Sequence, residues 1–350
     1  MTTRPLANQD LDLILNETQP LWNEMSNQHL FLTGGTGFFG CWLTESFLHI
    51  NRTLQLNARL TVLTRDPAGF ARKCPHLATD PALTLLQGDV RTFSFPSGEY
   101  PYIIHAATET TAKQSTGPLD TFTTIIDGTA RVLDFAATHG ARKLLLTSSG
   151  AVYGKQPPAI THTPEDYPGA PDPLDPTSVY GEGKRASEQL CALNAHATGI
   201  EIKIARCFAF VGPHLPLDAH FAIGNFIRDA IGNSPIHIKG DGTPRRSWLY
   251  MADLAIWLWT MLVSGQRNRA YNVGSDEGMT IAEAARLVTT TLHPALPIQI
   301  DGIPNPAAPL NSYVPDIRRA QDELGLKVSI PLTEAIRRTA SWHGWQDSGQ

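Results

Sequence analysis

The chain has little with which to build a disulfide frame or a zinc site. Its 350 residues hold four cysteines, Cys41, Cys74, Cys191 and Cys207, scattered and without a CxxC pair. That spacing fits buried thiols in a reducing compartment. The twelve histidines also lack ligand spacing. His105, inside the apolar run IIHAA, reads as a core residue with its hydrogen bonds met. No metal is expected. Long basic runs are missing and the formal net charge is -5, which argues against a nucleic-acid partner. The N-terminus, MTTRPLANQDLDLILNETQPLW, carries acids and amides where a secretory signal needs an apolar stretch. No run is long enough to span a bilayer, and LAIWLWTMLV (254–263) reads as a buried helix. There is no internal repeat and no low-complexity tail. The expectation is a soluble cytoplasmic protein without a membrane partner.

What is present is a series of short apolar runs rich in Val, Ile and Leu. They lie at 29–34, 59–65, 83–89, 102–107, 143–149, 200–207 and 270–274. Helical patterns fall between and after them, at 40–50, 118–139, 178–198, 219–231, 252–264, 280–292 and 332–343. Continuous apolar strands alternating with helices predict an α/β fold: a doubly wound, Rossmann-type parallel sheet of about seven strands, covered on both faces. Residues 1–28 read as a helical extension. The dinucleotide-binding domain is expected over 29–207, with 249–274 returning to it. A smaller substrate lobe is expected over 208–248 and 275–345. The proline-rich stretch 156–177 reads as an ordered loop.

FLTGGTGFFG places Gly34, Gly37 and Gly40 directly after the first predicted strand and at the start of a helix. A dinucleotide pyrophosphate needs a tight turn, backbone without side chains in the way, and a helix N-terminus. Phe38, Phe39, Val90, Ala106 and Ala107 complete the expected cofactor contacts. The end of the second strand, VLTRDP, has Thr64 where an acid would meet a ribose 2′-hydroxyl, followed by Arg65. Arg65 favours NADP, and Asp66 keeps NAD open. Asp89, in QGDV, is placed either to meet the adenine or as a plain turn aspartate.

SVYGEGK (178–184) sets Tyr180 and Lys184 on one helical face. An ammonium beside a phenol favours the phenolate and would lower its pKa towards neutral. With a dinucleotide site, this pair points to hydride exchange at a carbinol carbon while tyrosine handles the hydroxyl proton. Ser148 and Ser149 end a central predicted strand at the edge where ligands bind, and Ser149 is the better candidate for the third polar group. The catalytic set is therefore Ser149, Tyr180 and Lys184, with Tyr180 and Lys184 also touching cofactor.

The sequence resembles the extended short-chain dehydrogenase/reductase family, specifically its NAD(P)-dependent nucleotide-sugar epimerases and dehydratases. The likeness covers roughly 29–345. It rests on TGGTGFFG, HAA, TSSGAVYG, YGEGK, ARCFAFVGP, GDGTPRRSWLYMADLA and YNVGS, in the family's order. The resemblance implies a nucleoside-diphosphate sugar as substrate. It makes Tyr180 the acid/base, with Lys184 lowering its pKa and bonding the nicotinamide ribose, and Ser149 orients the sugar hydroxyl. Arg246 matches the arginine that grips the diphosphate, and Asp253 a structural acid. Gly150 and Asn225 are further expected substrate contacts. A homodimer through helices near 118–139 and 178–198 is also implied.

The departures matter. Family dehydratases carry an Asp-Glu pair where this chain has Gly150 and Ala151. UDP-glucuronate decarboxylases carry a glutamate in the same region that is missing here. Ala209 replaces a common asparagine, and another asparagine, expected before Ile126, is replaced by Ile125. Dehydration and decarboxylation are therefore disfavoured. The leading expectation is a 4-epimerase acting through a transient keto sugar. The alternative is an NADPH-dependent reductase of an NDP-4-keto-sugar. A non-catalytic dinucleotide sensor is a third reading, and it leaves the joint presence of Ser149, Tyr180, Lys184 and Arg246 unexplained.

Overall fold

The computed structural model describes residues 3–108, 117–305, 307 and 309–346. Seven strands form one parallel sheet: β1 (His29–Thr33), β2 (Arg59–Thr64), β3 (Leu83–Gln87), β4 (Tyr102–His105), β5 (Lys143–Ser149), β6 (Glu201–Cys207) and, later in the chain, Arg269–Val273. Their spatial order is 269–273, β6, β5, β4, β1, β2, β3. The order reverses between β1 and β4, which opens a crevice beyond their carboxyl ends. All seven coincide with the apolar runs of the sequence.

The sheet is a Rossmann-type doubly wound sheet, and successive side chains serve opposite faces. Leu30, Leu32 and Leu145 point into one core, while Phe31, Leu144 and Leu146 point into the other. The first face packs α1 (Asn8–Thr18) and α2 (Phe38–Thr53), and the short α3 (Pro67–Lys73) and α4 (Pro75–Ala78) lie at its edge. The second face packs α5 (Pro118–Thr138) and α6 (Val179–Thr198). Gly183 lies where α6 rests on α5, since a Cβ there would stand 3.1 Å from Ile125 Cδ1.

Beyond β6 the chain weaves a smaller lobe. β7 (Phe210–Val211) pairs with β10 (Leu249–Tyr250), and β8 (Ile236–Ile238) with β13 (Ile298–Ile300). β9 (Arg245–Arg246) lies between β12 (Met279–Thr280) and β14 (Ser312–Tyr313). The strand at 269–273, β11 in chain order, rejoins the main sheet. The lobe helices are α7 (Ala222–Ile231), α9 (Ile281–Leu292), α10 (Arg318–Leu324) and α11 (Leu332–Trp342). A capping box between Thr280 and Glu283 starts α9. The apolar run near 254–263 lies in α8 (Met251–Ser264), with Trp257 and Trp259 fully enclosed. No helix among the described residues is long and apolar enough to cross a membrane.

The N-terminal segment is part of the core. Trp22 is fully buried, and its ring meets Trp259 edge-on at 5.0 Å. Asp10 accepts a 2.7 Å hydrogen bond from Tyr250 and pairs with Arg338 of α11 at 2.5 Å. Burial outweighs both partners and raises the Asp10 pKa.

Candidate active site

The cofactor wall forms at the β1/β4 crevice. Gly34 takes a φ of +73°, and a Cβ there would lie 2.5 Å from the Ala106 carbonyl oxygen. A Cβ on Gly40 would lie 2.2 Å from the Gly34 oxygen, so α2 can approach the turn only without one. Gly37 begins α2 with no side-chain cap. Amides of a first turn that no side chain caps are donors suited to a pyrophosphate. The residues present therefore fit a dinucleotide. Phe38 lies beside Phe39, whose ring meets Phe210 edge-on at 4.9 Å. Beneath the turn, the Thr33 hydroxyl accepts from the amides of Ala106 and Ala107, both at 3.1 Å. His105 is held by Thr33 at 2.7 Å and Thr129 at 3.2 Å. Burial lowers its pKa to about 3, so it is a neutral core residue.

At the far end of this wall, Asp66 accepts from Gly69 N at 2.8 Å and caps α3. Asp89 accepts from the Arg91 backbone amide and from its guanidinium, both at 2.9 Å. Arg91 in turn reaches Asp120 at 3.0 Å. These bonds, with Arg65 nearby, hold the Asp89 pKa below the usual carboxylate range. Val90 packs against Gly128 of α5.

The two serines ending β5 have different duties. Ser148 donates to Glu188 at 2.5 Å. Glu188 takes both arms of the Arg206 guanidinium, at 3.0 and 2.7 Å. Arg206 extends the network to the Tyr153 hydroxyl at 2.9 Å, and Tyr153 donates to Asn272 at 2.8 Å. This buried network ties β5, α6, β6 and β11 together, and a satisfied network of this kind is rigid. Ser149 is left facing the crevice. Its oxygen accepts from Ala151 N at 3.1 Å, and its hydroxyl favours the charged form of Tyr180.

Tyr180 and Lys184 share the face of α6 that lies against β5, as their spacing implies. The electrostatics differ from the sequence expectation. Burial pushes Tyr180 up to about 12, against a smaller lowering by Ser149. Burial pushes Lys184 down to about 8. The Lys184 ammonium donates to Thr108 Oγ1 at 2.5 Å and to the Thr147 carbonyl at 2.7 Å. The lysine is anchored to two strand ends, and desolvation dominates the phenol.

On the sugar side, Arg246 is half-buried on β9. It donates to Arg245 O at 2.8 Å and to Asn311 O at 3.2 Å. Asn225 commits its amide NH2 to Leu217 O at 2.8 Å and Ala219 O at 2.7 Å, which fastens a lobe loop. Asp253 accepts from Ser329 N and Ile330 N, both at 3.1 Å. Gly150 faces Phe208 and Tyr313. Sequence reasoning missed Tyr313, whose hydroxyl is 3.5 Å from Ser149 Oγ. The signal was indirect: two small residues, Gly150 and Ala151, at a position that needs filling. It also missed Glu188 and Arg206. A charged residue inside the buried strand IEIKIARC was the available clue.

A dinucleotide cradle joined to a serine–tyrosine–lysine set defines a class of nicotinamide-dependent enzymes. Residues 30–274 match the profile of the NAD dependent epimerase/dehydratase family, and the chain belongs to it. UDP-glucuronic acid decarboxylase 1 of Arabidopsis thaliana is 30% identical over 312 residues, 89% of this chain and 69% of that protein. UDP-glucuronic acid decarboxylase 1 of Danio rerio is 28% identical over 337 residues, 95% of this chain and 77% of that one. Among solved structures, the UDP-N-acetylglucosamine 4-epimerase of Methanobrevibacter ruminantium aligns with a TM-score of 0.77 at 20% identity, covering 91% of this chain and 99% of that one. A dTDP-glucose 4,6-dehydratase of Streptomyces venezuelae, solved with NAD, gives 0.74 at 21%, covering 90% and 97%. These two show the fold.

The relatives correct the functional expectation. Matched over most of the chain, they are decarboxylases, which overturns the epimerase reading and its reductase alternative. The error has a chemical cause. Decarboxylation was set aside because positions 150 and 151 lack a carboxylate. Once a carbonyl stands β to a carboxylate, however, the carbon–carbon bond breaks without an acid or base attacking it.

Proposed function

We propose that this chain decarboxylates a UDP-linked uronic acid through a transient 4-keto sugar. The carrying observation is the Ser149–Tyr180–Lys184 set in a chain whose curated relatives are UDP-glucuronic acid decarboxylases. A bound nicotinamide would take up the hydrogen and electron pair of the carbinol carbon and later give them back. Tyr180 acts here as the phenolate, a form that the Lys184 ammonium and the positive ring of a bound nicotinamide would favour; it accepts the 4-hydroxyl proton, and Ser149 orients that hydroxyl. The resulting ketone is β to the C6 carboxylate. The C5–C6 bond breaks, CO2 leaves, and its electron pair settles in a C4–C5 enolate. A proton then adds to C5, and the C4 oxygen recovers its proton from Tyr180 as the carbonyl is reduced. Arg246 grips the diphosphate with its fork of donors. The test is incubation of the protein, loaded in turn with NADP and with NAD, with UDP-glucuronic acid, following CO2 and the mass of the sugar nucleotide. Loss of CO2 to give a UDP-pentose is expected. An intact substrate, or a UDP-hexuronic acid of unchanged mass, overturns the reading.

On the cofactor, Asp66 is engaged as a helix cap while Arg65 follows β2, which supports a 2′-phosphate. Tighter binding of NADP than of NAD to the purified chain is the expected result. Leu119 of α5 and Leu193 of α6 are 75% and 60% exposed, which supports a homodimer through these helices. Light scattering giving twice the chain mass is expected. Four free, buried cysteines support a cytoplasmic location.

A further inference from the structure

The proposed reaction needs two protons delivered to two different atoms. Tyr180 takes its proton from the C4 oxygen and must return it there. The C5 carbon left by CO2 needs another donor, and neither Gly150 nor Ala151 has one. Ser149 is a weak acid already placed on the hydroxyl being oxidised. The space beside Gly150 is filled from the other lobe. A Cβ on Gly150 would lie 2.7 Å from the Tyr313 hydroxyl oxygen and 2.8 Å from the Phe208 ring. Tyr313 rides on β14, opposite Arg246 in the parallel pairing with β9. Its ring lies 4.6 Å from that of Phe208, and the Arg246 guanidinium carbon is 5.9 Å from it.

The Tyr313 hydroxyl is placed but only weakly engaged. Its neighbours are Ser149 Oγ and the Cys207 carbonyl, both at 3.5 Å. Strong O–H···O bonds are about 2.7–2.8 Å, so this O–H keeps most of its donor capacity for a ligand. Ser149 thus lies beside the Tyr313 hydroxyl and also lowers the Tyr180 pKa. We propose that Tyr313 is the acid that protonates C5, taking the place of a carboxyl group at 150–151. This rests on the decarboxylation reading. The enolate's electron pair forms the new C5–H bond, the Tyr313 O–H bond breaks, and the tyrosinate is reprotonated from water as product leaves. Burial raises the Tyr313 pKa well above that of free tyrosine, and Arg246 partly offsets this. Such a phenol keeps its proton until it meets a strongly basic carbon. The positive charge of Arg246 then favours the phenolate that remains.

The experiment compares wild-type and Tyr313→Phe holoenzyme with UDP-glucuronic acid. In the variant, oxidation and CO2 release should persist while the final reduction stalls. Reduced nicotinamide then accumulates, and UDP-pentose formation falls by roughly 10²-fold or more, as for a lost general acid. In heavy water the wild type should place one deuterium at C5 on a single face, a reading that needs no substitution. Turnover in the variant within about threefold of wild type, far below the loss expected for a general acid, sinks the assignment. So does an equal fall in nicotinamide reduction and turnover, which would leave Tyr313 a packing role only, and so does label on both faces in the wild type. Wild type that leaves UDP-glucuronic acid intact fails earlier, at the decarboxylation reading, and takes the Tyr313 role with it.

Discussion

The two walls of the crevice are built in opposite ways. The cofactor wall is local: one turn after β1, the start of α2 and the end of β4 supply it, and steric limits at Gly34 and Gly40 set its shape. The sugar wall is assembled from afar. β9 and β14 bring Arg246 and Tyr313 together although 67 positions separate them, and Tyr313 reaches a serine on β5. A local wall is specified by short motifs and changes little among enzymes of one cofactor. An assembled wall is free to change its chemistry one side chain at a time.

The comparison can be broken at the residue the two walls share. Tyr180→Phe should cut turnover by about 10²–10⁴ while cofactor affinity, measured by direct titration, stays near wild type. Loss of both together would make Tyr180 a structural element of the cofactor wall. Next in size are paired changes on either wall. Gly40→Ala forces a Cβ into backbone, and overpacking of about 1–3 kcal/mol corresponds to about 5- to 150-fold in cofactor affinity. Arg246→Gln should leave cofactor binding alone and raise KM by about tenfold or more through lost charge-assisted bonds. If each variant weakens both ligands equally, the walls are not separate.

The smallest effect concerns acid. His105 is neutral in the fold, its pKa lowered by burial to about 3 from an ordinary 6.5. The unfolded chain binds the extra proton first as pH falls, so stability is lost between pH 6.5 and 3. His105→Asn should flatten that limb of a denaturation-versus-pH series. An unchanged slope would move the acid sensitivity to other groups.

The same contrast governs what the sequence revealed. Each strand of the main sheet is a run of several apolar residues, so all seven were legible, and the longer helices between them followed from their period, while the short α3, α4 and α10 did not. Strands of two residues such as β9 and β14 have no period to read, and only pairing with distant segments makes them strands. Ser149, Tyr180, Lys184 and the glycine turn sit in contiguous motifs. Tyr313 sits in NSYVPD, where nothing local marks it, and only the hole at Gly150 asks for it. The reaction was misread for a related reason. The shared oxidation step is written in the motifs, and the step that follows depends on the assembled wall.

Asp10 pairs with Arg338, and the Trp342 indole donates to the Arg4 carbonyl at 3.1 Å. These contacts join the first helix to the last. During synthesis the Asp10 carboxylate meets Tyr250 first and Arg338 only once α11 has been made. Removing either helix would expose the same seam, so α1 and α11 behave as one clasp.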